Sequence, residues 1–200
     1  MKRPKLTWLL VVVSTGGSST LRVHAWRRLR SLGALYLQSS VCLLPQRPET
    51  TRAVARLLDR VRREGGEGRA LAISFSEGEE ERRIVAAFSA ERSDEYREIC
   101  SRTPAFLEEI AMERRRGRAT YTEIEESEAD LQRLRTWLER VQARDYFGAE
   151  GRAEAEAALE RCAAALAEFE LEALAAEQPQ ADARGGREET ERHLRAVDDG

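Results

Sequence analysis

The sequence predicts an α+β protein, with a ferredoxin-like βαββαβ domain followed by a helical hairpin region. Two observations lead to this fold class. Short β-type apolar runs alternate with two amphipathic helical stretches over residues 1–76, and continuous helical periodicity with many charges follows from residue 77. The predicted division is a basic ferredoxin-like domain (1–76), an acidic helical region packed on it (77–175) and a disordered tail (176–200), which has almost no apolar content.

The apolar run at residues 6–13 predicts a buried central strand. Its eight residues are too few to cross a bilayer, they are rich in β-branched side chains, and the turn sequence STGGSS follows them. A signal peptide is the alternative, because basic residues precede the run, but no A-x-A-like cleavage site follows. No other segment approaches membrane length, and so no membrane partner is expected.

The next segments complete the βαββαβ order. Helix one is predicted at residues 19–32, where Gly33 ends it, and helix two at 48–64, where Pro48 starts it. Between them, ALYLQ-SS-VCLLP has the pattern of a β-hairpin with a two-residue Ser39-Ser40 turn. The alternating apolar residues of 69–76 predict the fourth strand. Two helices on one face of a four-stranded antiparallel sheet is the ferredoxin-like arrangement.

The carboxy-terminal half reads as helical. Candidate helices lie at residues 94–100, 103–116, 124–143 and 152–174. The last two carry heptad-spaced apolar residues, which predict an antiparallel hairpin joined by a turn at 144–151.

The charge distribution is strongly uneven. The net charge is −3, yet residues 1–76 hold 14 Lys and Arg against 4 Asp and Glu, and the remaining residues are correspondingly acidic. A basic lobe joined to an acidic one indicates a polyanionic partner. The alternative is self-neutralisation, with acidic helices packing over the basic domain.

Arginines on the two predicted helices are the candidate nucleic-acid-binding residues. Those of helix two recur at spacings of four, four and three, which places them in one stripe opposite the apolar face. The candidates are Arg27, Arg28, Arg30, Arg52, Arg56, Arg60 and Arg63. A polyanion would relieve the repulsion between neighbouring guanidinium groups. The alternative is a solvated face paired with acidic residues of the later helices.

Three further features have both a structural and a functional interpretation. Trp26, at the edge of the core stripe of helix one, is expected to pack in the core, with a base-stacking platform as the alternative. Arg22 points toward the core side and is expected to pair with a carboxylate of the later helices. Lys2, Arg3 and Lys5 form a basic arm that either tracks phosphates or only solubilises the terminus.

The residues do not predict an enzyme, a metal site or a cofactor. A carboxylate at the end of the first strand would be needed for a Cas2-like nuclease, and Ser14 stands there. The cysteines, Cys42, Cys100 and Cys162, are far apart and form no CxxC pair, which argues against zinc and disulfides. Three buried thiols in a reducing cytoplasm are expected.

Several segments together resemble the amino-terminal region of the ChrB family of chromate-resistance proteins. They are WLLVVVSTGGSS, the WR-x-L-R-x-x-G-A helix with the strand pair ending in VCLLP, and WLERVQARDYFGA. The resemblance covers about residues 6–174 and implies a bacterial, DNA-binding transcriptional regulator of chromate resistance. Full-length members usually carry a further carboxy-terminal domain associated with the chromate response; this chain ends before one, which leaves chromate open as an effector.

The function expected from sequence is therefore a cytoplasmic DNA-binding regulator whose arginines contact phosphates. The alternative is a protein-interaction module that forms a homodimer through the sheet or the heptad helices and regulates a partner protein.

Overall fold

A computed structural model describes the backbone of residues 6–116 and 121–198 and the side chains of residues 6–116 and 121–175. It has the α+β architecture that the sequence predicts. The elements in chain order are β1 (Trp8–Ser14), α1 (Ser19–Ser31), β2 (Leu35–Gln38), β3 (Val41–Pro45), α2 (Pro48–Arg63), β4 (Glu67–Ile73), α3 (Gly78–Arg116), α4 (Tyr121–Gln142) and α5 (Arg152–Asp198).

The four strands form one antiparallel sheet in the order β2-β3-β1-β4. β1 is paired on both edges, with Leu10 opposite Leu43 on one side and Leu71 on the other. A strand in that position is covered on both faces, which explains its continuous apolar run. The predicted hairpin is confirmed, with Ser39 and Ser40 between its strands.

Helices α1 and α2 cover one face of the sheet. Leu21, Ala25 and Leu29 of α1 pack with the apolar stripe of α2 and with Leu9 and Val11 of β1. The Ser18 side chain caps α1 by accepting a hydrogen bond from the Leu21 amide at 3.3 Å. The core of this layer therefore comes from the residues whose spacing predicted the two helices.

An aromatic cluster covers part of the opposite face. Trp8 is fully buried against Phe88 of α3 and Phe147, with ring centroids 5.6 and 5.7 Å away, and its indole nitrogen donates to Glu81 at 3.0 Å. Because α3 packs here, the sheet's hydrophobic core continues beyond residue 76.

By Cα packing the chain forms two compact units. The first runs to Tyr96 and also takes in Glu139–Arg152, so it is larger than residues 1–76. The second contains Arg97–Leu138 and the chain from Ala153 onward. Within it, Arg114 of α3 pairs with Glu168 of α5 at 3.1 Å and with Glu172.

Helix α3 differs from the sequence prediction. Two helices were expected, at 94–100 and 103–116, but one helix passes through Pro104. Proline has no amide hydrogen for the carbonyl oxygen of Cys100. The Thr103 hydroxyl donates to that oxygen at 2.9 Å instead, so the carbonyl keeps a partner and the helix continues.

Two predictions fall on the chain ends. Helix α5 extends to Asp198, and the side chains after residue 175 lie outside the described residues, so the disordered tail stays a prediction. The basic arm Lys2, Arg3 and Lys5 also lies outside them. Among the helices that are described, none contains an apolar stretch long enough to cross a membrane.

Candidate nucleic-acid interface

The four predicted site arginines of α2 lie on its solvent side. All four are exposed, whereas the opposite side of the helix is buried through Val54, Leu57, Leu58 and Val61. The predicted stripe of Arg52, Arg56, Arg60 and Arg63 is thus a real surface feature; its role in binding stays a prediction.

Two acidic residues beside this stripe belong to α2 and to its C-cap. Arg60 pairs with Glu64 at 2.6 Å, and Arg62 pairs with Asp59 at 2.7 Å. Arg63 donates to the backbone carbonyl oxygen of Asp59 at 3.4 Å. Within the described residues, no ion pair involves Arg52 or Arg56. At least half of the stripe is therefore free to meet an outside anion.

A side-chain contact connects the stripe to α1. The Arg60 guanidinium lies 3.1 Å from Nε2 of His24. Arg28 is one turn beyond His24 on the same side of α1, and Arg27 points outward. Both are exposed, and neither is ion-paired within the described residues. We call Arg27, Arg28, Arg52, Arg56, Arg60 and Arg63 the helical basic face.

Arg30 does not belong to this face. Its guanidinium lies over the ring of Trp26, 5.4 Å from the ring centroid. Residues 22, 26 and 30 are four apart and so lie along the side of α1 that faces the hairpin, not α2. The structure therefore separates Arg30 from the other predicted site residues.

Between α1 and the β2–β3 hairpin lies an open groove of about 940 Å³. Its walls are Arg22, Trp26 and Arg30 of α1, the turn after β1, and the hairpin from Tyr36 to Ser40. Arg22 and Arg30 are its charged lining residues, and among the described residues no carboxylate lines it. Burial raises the pKa of Cys42, on its floor, to about 12, and that of Tyr36 also to about 12. Neither carries a negative charge at neutral pH, so the groove is cationic.

Two expectations for α1 are wrong. Trp26 is 48% exposed and not packed in the core. Arg22 is exposed and, within the described residues, has no carboxylate partner. Helical spacing put both near the core stripe, but the neighbouring hairpin leaves that side of the helix open.

The segment 144–149 holds the end of α1 in place. Arg144 donates to Glu95 at 2.6 Å and to the backbone carbonyl oxygen of Arg30 at 3.5 Å. Asp145 accepts from the amides of Gly148 and Ala149 at 3.0 and 2.9 Å and from the Tyr96 hydroxyl. The sequence predicted only a turn for this segment. The RDYFGA motif, which is part of the family resemblance, was the signal that the segment has a further role.

A buried charge cluster lies beside this segment. Arg92 is 4% exposed and donates to Glu95 at 2.6 Å and to Glu91 at 3.1 Å. Glu95 thus bridges two guanidinium groups. Burial is the largest influence on Arg144 and lowers its pKa, with Glu95 opposing that effect. Each charged group of this cluster therefore faces an opposite charge.

Together, the fold and the surface define an α+β protein with an exposed arginine-rich helical layer on an antiparallel sheet. The family model described as "Protein ChrB, N-terminal" matches residues 22–180, and the chain belongs to this family, as the resemblance predicted. Protein ChrB of Cupriavidus metallidurans is 34% identical over 96 residues, which cover 48% of this chain but only 29% of that relative. No solved structure matches the chain.

Proposed function

We propose that the chain is a non-enzymatic, cytoplasmic DNA-binding transcriptional regulator of the chromate-resistance type, and that the helical basic face contacts DNA phosphates. The observation that carries the proposal is the exposure of Arg27, Arg28, Arg52 and Arg56 without ion pairs within the described residues. Family membership supports the same reading, since the matched relative is a ChrB protein.

The dimensions of the stripe suit a DNA backbone. The eleven-residue step from Arg52 to Arg63 corresponds to a rise of about 16 Å along the helix. That length spans about five base-pair steps of duplex DNA. The guanidinium groups of α2, with Arg27 and Arg28 beside them, would thus meet several successive phosphates.

Phosphate contacts explain affinity and orientation but not sequence choice. Arginines that neutralise phosphates read no bases. We therefore expect this face to supply a salt-sensitive, largely sequence-independent term, and base readout to come from another surface or chain. The sheet order β2-β3-β1-β4, with both helices on one face, supports assigning the finer topology as ferredoxin-like.

The test is a fluorescence-anisotropy titration of a labelled duplex, several helical turns long, at salt concentrations from about 50 to 200 mM. The double variant Arg52→Ala/Arg56→Ala should lower affinity at low salt and reduce the slope of log affinity against log salt by about 2. The matched control is Arg82→Ala/Arg83→Ala, which removes the same charge from α3 on the opposite face of the sheet. Equal losses in both variants, or no binding by the wild type at low salt, would refute the proposal.

A homodimerisation module is the competing proposal, and one observation favours it. Leu71 is 51% exposed on β4, which lies at an edge of the sheet. Edge strands with apolar side chains are sites for pairing with another chain. Sedimentation velocity separates the two proposals. A dimer that is lost in Leu71→Asp, in a protein that binds no DNA, would favour dimerisation.

A further inference from the structure

We propose that the groove between α1 and the β2–β3 hairpin binds an unpaired nucleotide of a DNA strand, with its base stacked at Trp26 and its phosphates at Arg22 and Arg30. This inference rests on the proposed DNA binding. It assigns to a second surface a task that the helical basic face cannot perform, namely contact with a base.

Trp26 lies exposed in the wall of the groove. Large aromatic side chains contribute most when they are buried, yet this indole is half exposed. Its neighbour in the groove wall is the Arg30 guanidinium, 5.4 Å from the ring centroid. Indole and guanidinium are both planar, and both stack on nucleobases. Together they form a platform that accepts any base.

The charge of the groove is complementary to a phosphodiester strand. Arg22 and Arg30 flank Trp26 at one turn on either side along the same side of α1. In the part of the chain that the structure describes, no carboxylate lines the groove, and the thiol and phenol on its floor and wall stay neutral. A strand that places one base at Trp26 therefore brings its adjacent phosphates toward the two guanidinium groups.

The size and shape of the groove also suit a nucleotide. A volume of about 940 Å³ exceeds what a single planar ring fills, and it suits a nucleotide with its sugar and phosphate. Ser39, Ser40 and the turn after β1 provide hydroxyl and backbone groups at the rim. Such groups suit a phosphodiester strand that enters and leaves the groove. A fully paired duplex offers no free base, so the groove selects unpaired DNA.

The experiment compares three probes with the full chain: a paired duplex, the same duplex with a short central unpaired bubble, and free AMP. The wild type should prefer the bubble, and Trp26→Ala should weaken bubble binding by about 5- to 150-fold, the range for loss of one stacked base. Duplex binding should change less than about 2-fold. Leu171→Ala is the control, because Leu171 is also an exposed apolar side chain, on α5, and is not among the residues that line the groove. It should leave both affinities unchanged.

A second readout reports stacking directly. Stacking of a base should quench the exposed Trp26 fluorescence on titration with the bubble probe. Trp26→Phe should keep most of the bubble affinity and lose the quench. If Trp26 has only a structural role, the substitution should leave both the affinity and the quench unchanged or reduce both together. AMP binding as tight as bubble binding would assign the groove to free nucleotides and overturn the strand proposal.

The outcomes separate this inference from the proposed function. Equal binding of bubble and duplex by the wild type, or an unchanged bubble preference in Trp26→Ala, overturns the groove proposal and leaves duplex binding standing. Bubble binding without duplex binding supports the groove and refutes the helical basic face. Binding of neither DNA probe refutes both.

Discussion

The Tyr146 hydroxyl donates a 2.6 Å hydrogen bond to the backbone carbonyl oxygen of Leu32, the C-cap residue of α1. Arg47 approaches the same tyrosine from the other side, with its guanidinium 4.9 Å from the ring centroid and 2.7 Å from the Tyr146 carbonyl oxygen. One side chain therefore ties the end of α1 to the start of α2. The orientation of the helical basic face depends on this tie.

Two substitutions of Tyr146 should distinguish the contribution of its hydroxyl hydrogen bond to stability from that of its ring. Tyr146→Phe removes only the hydroxyl and should lower the free energy of unfolding by about 1 kcal/mol, since the Leu32 carbonyl loses its partner. Tyr146→Ala also removes a ring that packs on Phe88 and Phe147, and should cost about 3 kcal/mol or more. Urea unfolding followed by tryptophan fluorescence measures both. Equal stability of Tyr146→Phe and the wild type would show that the bond contributes nothing.

Gly33 should tolerate no side chain. Its φ is +73°, and an added Cβ would lie 2.9 Å from the Arg144 Cβ and 3.3 Å from Arg92 Nη1. Gly33→Ala should therefore destabilise the protein by about 2–4 kcal/mol, from left-handed strain plus a clash with the buried charge cluster.

Gly17→Ala is the matched control for that change. Gly17 also has a positive φ, +89°, but an added Cβ would meet nothing within 4 Å. Strain alone should cost about 1 kcal/mol. The difference between the two unfolding free energies isolates the clash, and similar values for both would contradict the packing described at Gly33.

Glu95 should be the most sensitive acidic residue of the first unit. Glu95→Gln leaves Arg92, with a side chain only 5% exposed, and Arg144, 17% exposed, without their shared carboxylate. Removing one partner of a buried ion pair costs about 3 kcal/mol. Glu80→Gln, at an exposed pair with Arg83, should cost less than about 1 kcal/mol. Denaturant midpoints compare the two variants, and a cost for Glu95→Gln no larger than that of the control would rule out a structural role for the cluster.

Sequence reasoning predicted the elements that depend on local pattern. The spacing of Leu21, Ala25 and Leu29, and the Ser39-Ser40 turn between two apolar runs, are properties of contiguous residues. They gave α1 and the hairpin nearly to the residue. The arginine stripe of α2 followed from the same helical period.

The features that sequence reasoning missed depend on distant partners. Arg144 meets Glu95 across 49 residues, and Tyr146 meets Leu32 across 114 residues. No periodicity encodes such pairs. Trp26 and Arg22 were placed near the core because a helical wheel cannot show that the adjacent hairpin leaves a groove. The predicted break between residues 100 and 103 is an exception, because the Thr103 hydroxyl bond that lets α3 continue past Pro104 is local to the helix.

Cys42 should make stability depend on alkaline pH. Burial raises the pKa of its thiol from 9.0 to about 12 in the folded chain, so the unfolded chain loses this proton first as pH rises. The contribution to stability is complete below pH 9 and is lost progressively between pH 9 and about 12. The pKa of Tyr36 is raised from 10.0 to about 12, so this side chain also lowers stability with rising pH, but only from pH 10 upward. The interval from pH 9 to 10 therefore reports mainly on thiols.

Cys42→Ala should flatten the fall in unfolding free energy across that interval, at the cost of a small cavity in the core. Burial also raises the pKa of Cys162, so the slope should shrink rather than vanish. Cys100→Ala, at a half-buried thiol, is the control and should leave the Cys42 contribution intact.

Thiol alkylation read by mass spectrometry provides an independent measurement. Because the thiolate is the nucleophile, Cys42 should stay unmodified in the folded protein near pH 8 and react once the chain is unfolded. Rapid modification of Cys42 in the folded protein would show that the floor of the groove is open to solvent.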